Sequence, residues 1–192
     1  IYHGYAANPD ALTAGMRKAK AMIREYSPTL KLWQGEAGCA SEPVQYALSG
    51  VEWTELSHAK WNARRMLCDY GVGIESTVFT ISDLAYHKNF ISRYGLIKTN
   101  PDNSIIKVKT AFYVVNNIVS VFNDSLTINN DCRFEIEAAD EITRFAFKDK
   151  KSGYDLIAFW DGSDLPENTC ELGSAVVKVE NLKMDTPVWV DM

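Results

Sequence analysis

The chain has 192 residues, of which 46% are hydrophobic and 23% are charged, so it is long enough for one large core or two small ones. The net charge of −5 gives no electrostatic reason to expect a nucleic-acid partner. No apolar run approaches the length of a membrane-spanning helix, so no membrane partner is predicted.

The opening residues predict a strand end followed by a helix. The chain starts abruptly with Ile1-Tyr-His-Gly-Tyr5, which is typical of the end of a strand, and we therefore expect a piece of a longer protein. Asn8 can cap the helix and Pro9 can occupy its first position, while Ser27-Pro28 ends it. Its apolar stripe is expected to be Leu12, Met16, Ala19, Ile23 and Tyr26.

The segment from Lys31 to Glu42 carries the strongest functional signal. Residues 30–36 predict a strand, and at strand spacing Leu32, Gln34 and Glu36 point to one side. In a parallel barrel the C-terminal ends of the strands present the catalytic groups, and Glu36 stands at that end. Local pattern alone favours a solvated loop glutamate at position 36, and the rest of the chain shifts the balance towards a catalytic role. Trp33 alternates away from Glu36 and is expected to pack against helices, and the small residues after Glu36 predict a flexible loop over 37–53.

Strand-like and helical patterns continue to alternate up to Asp124. Thr54 can cap a second helix with the stripe Leu56, Ala59, Ala63, Met66 and Tyr70, on which Arg64 is expected to make a structural salt bridge. Residues 75–81 predict a strand in which Glu75 is buried and structural, and residues 83–103 predict a long loop. The third helix is expected to carry Ile105, Val108, Phe112, Val115, Val119 and Phe122.

After Asp124 the helical period gives way to apolar and polar alternation. Six runs predict an antiparallel sheet or small β-sandwich: 126–129, 132–137, 142–148, 154–160, 174–180 and 187–191. Trp160 and Trp189 could form a carbohydrate-binding surface, but strand spacing favours a place in the core of the sandwich. The expected fold class is therefore α/β plus all-β. Residues 1–123 would form the last βα units of a parallel (β/α)₈ TIM barrel, and residues 124–192 an incomplete sandwich.

The cysteines do not indicate a metal site. Cys39, Cys68, Cys132 and Cys170 are widely spaced, with no Cys-x-x-Cys pair and no histidine at ligand spacing. Their spacing favours four free thiols, buried or partly buried, and leaves two disulfides as the alternative.

Five short motifs, in this order, resemble clan A glycoside hydrolases of the β-xylosidase and α-L-iduronidase type. They are Tyr2-His-Gly-Tyr5, Trp33-Gln-Gly-Glu36-Ala-Gly, Phe79-Thr-Ile-Ser-Asp83, Tyr94-Gly-Leu-Ile97 and Lys107-Val-Lys-Thr-Ala-Phe-Tyr113. The resemblance covers residues 1–122 and implies a (β/α)₈ barrel followed by a β-sandwich. The family has a tryptophan where this chain has Phe79. The asparagine–glutamate pair that supplies its acid/base precedes Ile1 and is absent from this sequence.

The resemblance implies that Glu36 is the nucleophile of a retaining glycosidase acting on an oligo- or polysaccharide, with the acid/base glutamate outside this chain. Tyr2 or Tyr5, together with His3, would donate hydrogen bonds to Glu36. Phe79 would stack on a sugar ring, and Glu42 would bind substrate hydroxyls or remain solvated. Asp83 and His87 are weaker candidates for sugar contacts. No cofactor or metal is implied, and the substrate class favours a secreted or periplasmic location.

A second hypothesis assigns no catalysis to the chain. In that interpretation it is a carbohydrate-binding or structural module. Tyr5 would then be an aromatic plug at the mouth of the barrel, His3 a structural group with satisfied hydrogen bonds, and Phe79 part of the core. The two hypotheses differ on upstream sequence, because the first requires an asparagine–glutamate pair at the end of an earlier strand.

Overall fold

The computed structural model describes residues 1–45, 47–86, 90–180 and 186–191. It contains a 3-10 turn, three α-helices and eleven strands among those residues. The helices are α1 (Thr13–Tyr26), α2 (Glu55–Gly71) and α3 (Thr110–Val121), and the turn Pro9–Leu12 leads into α1. The strands are β1 (Trp33–Ala37), β2 (Glu75–Val78), β3 (Leu84–Ala85), β4 (Ile91–Ser92), β5 (Ile97–Thr99), β6 (Ile105–Val108), β7 (Leu126–Ile128), β8 (Arg133–Ala138), β9 (Ile142–Asp149), β10 (Asp155–Asp161) and β11 (Ala175–Glu180).

Parallel pairing brings three chain segments side by side in the first part of the molecule. Tyr2 forms a parallel bridge with Gln34 of β1, and β1 pairs in parallel with β2. Helix α2 is the crossover between β1 and β2, as parallel neighbours require. This sheet is not closed into a barrel by the described residues, so the barrel remains a prediction.

Local sequence signals correctly placed the starts of the 3-10 turn and of α2. Asn8 accepts a hydrogen bond from the Asp10 amide, and Thr54 forms a capping box with Ser57 at the start of α2. The predicted stripe of α1 is only partly buried, since Met16 is 1% exposed while Tyr26 is 86% exposed. Helix α2 is buried on nearly all sides, far beyond the predicted stripe.

The region between β2 and α3 differs from the prediction. The expected loop contains two short antiparallel pairs, β3 with β4 and β5 with β6. Residues Ile105–Val108 are β6, and α3 begins only at Thr110. The third helix was therefore predicted too long, because the apolar spacing of Ile105 and Val108 fits a helix as well as a strand.

Residues after Asp124 form two small antiparallel sheets, one in the order β10–β9–β7 and the other pairing β11 with β8. Five of the six predicted runs are strands, whereas residues 187–191 are not. Trp189 is 74% exposed and packs edge-on against Phe159, so its predicted core position is wrong. Trp160 is half-buried and faces the first part of the chain, where its indole donates to Asp10 Oδ1 at 2.8 Å.

One main core crosses the predicted domain boundary. Its buried members are Met16, Met66, Leu67, Cys68, Val72, Ile74, Ile118, Phe122, Phe145 and Phe147. The two last residues belong to β9, and the others to the helices of the first part and the segments next to them. All four cysteines are free thiols: Cys39 and Cys68 are buried, Cys132 is half-buried, and Cys170, against expectation, is exposed. No helix among the described residues is long and apolar enough to cross a membrane.

Candidate functional site

The two faces of β1 are the reverse of those predicted. Leu32 packs against the main core, and Gln34 is completely buried. The register partner of Gln34 is Ser76, whose hydroxyl donates to Asp69 of α2 at 2.7 Å. This face of the sheet therefore lies against the helices.

Trp33 lies on the opposite face of β1. Its side chain is 46% exposed, and its indole N–H donates to Thr77 Oγ1 at 3.1 Å. The expected packing of Trp33 against helices is therefore wrong. Glu75, on the neighbouring strand, is likewise exposed and 3.6 Å from the ammonium of Lys31, so its predicted burial is wrong too.

Glu36 does not follow Gln34 under the helices. The pairing of β1 with β2 is irregular between Gln34 and Ala37, which interrupts the simple alternation of side chains at the C-terminal end of β1. The Glu36 side chain is 34% exposed, and its carboxylate meets residues of the opening segment. The irregularity thus leaves a partly accessible carboxylate at the edge of the sheet.

Two side chains from the segment beside β1 contact this carboxylate. The Tyr5 hydroxyl donates to Glu36 Oε1 at 2.5 Å, and His3 Nδ1 lies 3.7 Å from Glu36 Oε2. Tyr2, the other tyrosine considered for this contact, packs against the main core. Burial and the bond to Glu36 raise the pKa of Tyr5 well above its usual range, so its hydroxyl keeps its proton at neutral pH.

Phe79 and Tyr5 pack against the same second core cluster. That cluster contains the buried residues Ala37, Cys39, Ala40, Trp53, Trp61 and Tyr94, with Tyr5 and Phe79 partly buried against it. The Phe79 amide donates to the Ala37 carbonyl at 2.7 Å, and the Phe79–Thr80 peptide bond is cis. The aromatic side chain is half-buried, which leaves part of its surface available to a ligand.

The residues directly after Glu36 are not a flexible loop, as predicted, but a buried one. Every residue from Ala37 to Ser41 is buried. A Cβ at Gly38 would lie 2.1 Å from the Phe79 carbonyl oxygen and 3.2 Å from the Tyr94 ring. The small residues are therefore explained by close packing against the segments that carry Phe79 and Tyr94.

Glu42 lies in a cluster of charged residues. It pairs with Lys98, and its Oε2 lies 3.6 Å from Arg93 Nε. The side chain is 40% exposed, so these cations occupy only part of its surface. The pKa of Glu42 is lowered: burial alone would raise it, but Lys98 and Arg93 together outweigh burial.

Asp83 is unavailable to a ligand. It is fully buried, where it accepts from Lys109 Nζ at 2.6 Å, Arg93 Nη1 at 3.0 Å and the Gly95 amide at 3.0 Å. The predicted sugar contact of Asp83 is therefore wrong, because its carboxylate is buried and is occupied by the partners that a buried charge needs. His87 lies outside the described residues.

Arg64 has the structural role predicted for it. Its guanidinium donates to Asp10 Oδ2 at 2.7 Å and to the carbonyl oxygen of Asp164 at 2.9 Å. Tyr94 belongs to one of the sequence motifs, but its contacts with Tyr5 and Phe79 were not predicted. An aromatic residue inside the predicted loop 83–103 was the available signal.

Two surface concavities of the described residues lie away from Glu36. One, of about 390 Å³, is lined by residues of β8 and β9, and the other, of about 330 Å³, lies beside α1 and the start of β2. Among the described residues, no group of three or more His, Cys, Asp or Glu side chains could hold a metal ion. The carboxylate with its tyrosine partner is therefore the candidate site with the clearest chemistry.

No protein-family model matches this chain, and no curated protein matches it significantly.

Proposed function

We propose that this chain is the C-terminal part of a retaining glycoside hydrolase in which Glu36 is the catalytic nucleophile. One observation carries the proposal: the Tyr5 hydroxyl donates to Glu36 Oε1 at 2.5 Å while the carboxylate stays 34% exposed at the C-terminal end of a parallel strand. A fully buried carboxylate could not reach a substrate, and a fully solvated one would lack a fixed direction of attack.

The chemistry needs an ionised and oriented carboxylate. Glu36 would attack the anomeric carbon with one oxygen, and the glycosidic oxygen would leave with a proton from a second carboxyl group. Tyr5 fixes the other oxygen of Glu36, because its protonated hydroxyl is a donor at neutral pH. His3, 3.7 Å from Glu36 Oε2, adds a favourable charge only when it is protonated.

The second carboxyl group is proposed to come from sequence before Ile1. Retaining enzymes hold their two carboxyl groups about 5–5.5 Å apart. In this proposal an earlier strand of the barrel carries the asparagine–glutamate pair that the resemblance implies, and its glutamate is the second carboxyl group. Hydrolysis therefore requires the full-length protein.

Phe79 and Glu42 are the proposed substrate-binding residues of this chain. The half-buried ring of Phe79 offers an apolar face on which a pyranose ring can pack. Glu42 keeps 40% of its side chain exposed despite its ion pairs, so it can still accept from a sugar hydroxyl. The substrate class is an oligo- or polysaccharide.

The proposal is tested with Glu36→Gln in the full-length protein, using a panel of activated aryl glycosides. Loss of the nucleophile is expected to lower kcat by about 10³-fold or more. The matched control is Glu52→Gln, which changes an exposed carboxylate outside the site and should keep wild-type rates. Hydrolysis by Glu36→Gln at near wild-type rate would reject the nucleophile assignment.

A trapping experiment identifies the residue directly. An activated 2-deoxy-2-fluoro glycoside of the sugar that is hydrolysed should add one fluorosugar to the peptide containing Glu36. The same peptide from Glu36→Gln should stay unmodified. A panel that is bound but never hydrolysed by the wild-type protein would favour the carbohydrate-binding hypothesis.

A further inference from the structure

Tyr94 lies between the two aromatic side chains of the candidate site. Its ring centroid is 6.3 Å from that of Tyr5 and 6.2 Å from that of Phe79, with edge-on geometry in both pairs. Tyr94 is only 7% exposed, so it cannot itself present a surface to a sugar. Tyr94 therefore contacts both Tyr5 and Phe79, although it is not part of the accessible surface of the site.

Tyr94 is also tied to the loop that follows Glu36. Its hydroxyl donates to the Ala47 carbonyl, and its ring edge would lie 3.2 Å from a Cβ at Gly38. Its carbonyl accepts from the Thr80 amide at 3.3 Å, next to Phe79. One buried side chain thus connects the segment of Tyr5, the loop after β1 and the segment after β2.

We propose that Tyr94 is a positioning residue that holds the Tyr5 hydroxyl and the Phe79 ring in place relative to Glu36. The inference rests on the proposed function, because it concerns the same site. Edge-on aromatic contacts restrict the rings at both ends, and displacement of a catalytic group by about 1 Å can lower a rate by about 100-fold. Tyr94 acts through Tyr5 and Phe79 and touches no substrate.

The kinetic test compares three variants of the full-length protein. Tyr94→Leu removes the ring and is expected to lower kcat about tenfold or more through Tyr5 and to raise KM through Phe79. Tyr94→Phe keeps the ring and should retain kcat within about threefold. The control Tyr70→Leu removes a half-buried ring stacked on Phe122 in the main core, 5.7 Å between centroids, and should leave kcat unchanged.

A double-mutant cycle separates positioning from general damage. If Tyr94 acts through Tyr5, Tyr94→Leu should cost much less in a Tyr5→Phe background than in the wild type. Equal losses in both backgrounds would overturn the inference. An equal loss of kcat in Tyr70→Leu would overturn it as well.

A readout that needs no activity is the phenolic proton of Tyr5. A short hydroxyl–carboxylate hydrogen bond gives a proton resonance far downfield, which should vanish in Tyr5→Phe. The resonance should move upfield or broaden in Tyr94→Leu and persist in Tyr70→Leu. An unchanged resonance in Tyr94→Leu would overturn the inference. Wild-type hydrolysis by Glu36→Gln, with the resonance still moved by Tyr94→Leu, would reject the proposed function and support the placement of Tyr5 by Tyr94.

Discussion

His58 combines complete burial with a group that titrates near neutral pH. It is 0% exposed on α2, and neither ring nitrogen makes a hydrogen bond of normal geometry within the described residues. Burial, and then the charge of Lys109, lower the pKa of His58 to about 3, and the nearby Tyr94 backbone opposes this only in part. The imidazole is therefore neutral in the folded protein over most of the acid range.

The lowered pKa of His58 predicts acid sensitivity. In the unfolded chain His58 binds a proton below about pH 6.5, whereas in the folded chain it does so only near pH 3. The contribution of neutral His58 to the free energy of unfolding is therefore complete above pH 6.5, and it falls as the pH drops from 6.5 to 3. At pH 4 the loss from this group is about 3 kcal/mol. His58→Leu should abolish that part of the loss, measured by urea unfolding at pH 7 and pH 4. Equal losses in wild type and variant would contradict the prediction.

At the scale of residues, sequence could suggest Glu36 and Tyr5 but not which way Glu36 points. Strand spacing places Gln34 and Glu36 on one face, and that face is covered by α2. The irregular pairing between Gln34 and Ala37 depends on the partner strand, about 40 residues further along. A pattern confined to one strand carries no information about such an irregularity.

The loop after β1 limits substitution for steric reasons. Gly38→Ala would place a methyl group 2.1 Å from the backbone oxygen of Phe79, so either the loop or the segment directly after β2 must shift. The expected cost is about 1–3 kcal/mol in the free energy of unfolding. Gly15→Ala in α1 is the matched control, because a Cβ there would meet no described atom within 4 Å beyond its chain neighbours and its own helix backbone. It should stabilise the chain by about 0.5–1 kcal/mol. Denaturant unfolding of both variants checks the contrast, and equal effects would contradict it.

At the scale of elements, caps were predictable and the start of α3 was not. Asn8 and Thr54 act on amides two or three residues away, so the local sequence contains the whole interaction. Ile105–Val108 became a strand because β5 lies beside it, with Lys98 opposite Lys107. The apolar spacing of Ile105 and Val108 also fits a helix, but pairing with β5 outweighs that local preference and makes the segment a strand.

The two parts of the chain are joined by a polar connection as well as by the main core. Asp10 accepts from Arg64 Nε at 2.7 Å and from the Trp160 indole at 2.8 Å. Arg64 also donates to the carbonyl oxygens of Gly162 and Asp164. Both side chains of the Arg64–Asp10 pair are 10% exposed, so each needs the other to offset its lost hydration.

Removing one partner of this pair should therefore be costly. Arg64→Met is expected to lower the free energy of unfolding by about 3 kcal/mol, since Asp10 keeps its charge without its cation. The control Lys178→Met breaks the exposed pair with Glu137 and should cost less than about 0.5 kcal/mol. Urea unfolding of both variants measures the difference. Equal losses of unfolding free energy in Arg64→Met and Lys178→Met would show that the Arg64–Asp10 pair is worth no more than an exposed ion pair.

At the scale of the whole molecule, sequence predicted the order of elements better than their assembly. The strand–helix–strand alternation correctly indicated that β1 and β2 are parallel. The predicted boundary at residue 124 marks the change from helical to strand patterns, but the packing of Phe145 and Phe147 against α2 and α3 could not be deduced from it. Which faces meet across a boundary depends on side-chain shape at long range.

The dense packing behind Glu36 has a consequence for saturation mutagenesis of this region. In libraries scored by survival or expression, substitutions of Gly38 would be lost for steric reasons alone. These losses would appear next to any losses caused by substitutions of Glu36. Such a map would look like an extended catalytic motif even if no reaction took place there. Only replacements of matching volume, scored by turnover per folded molecule, would separate the two causes.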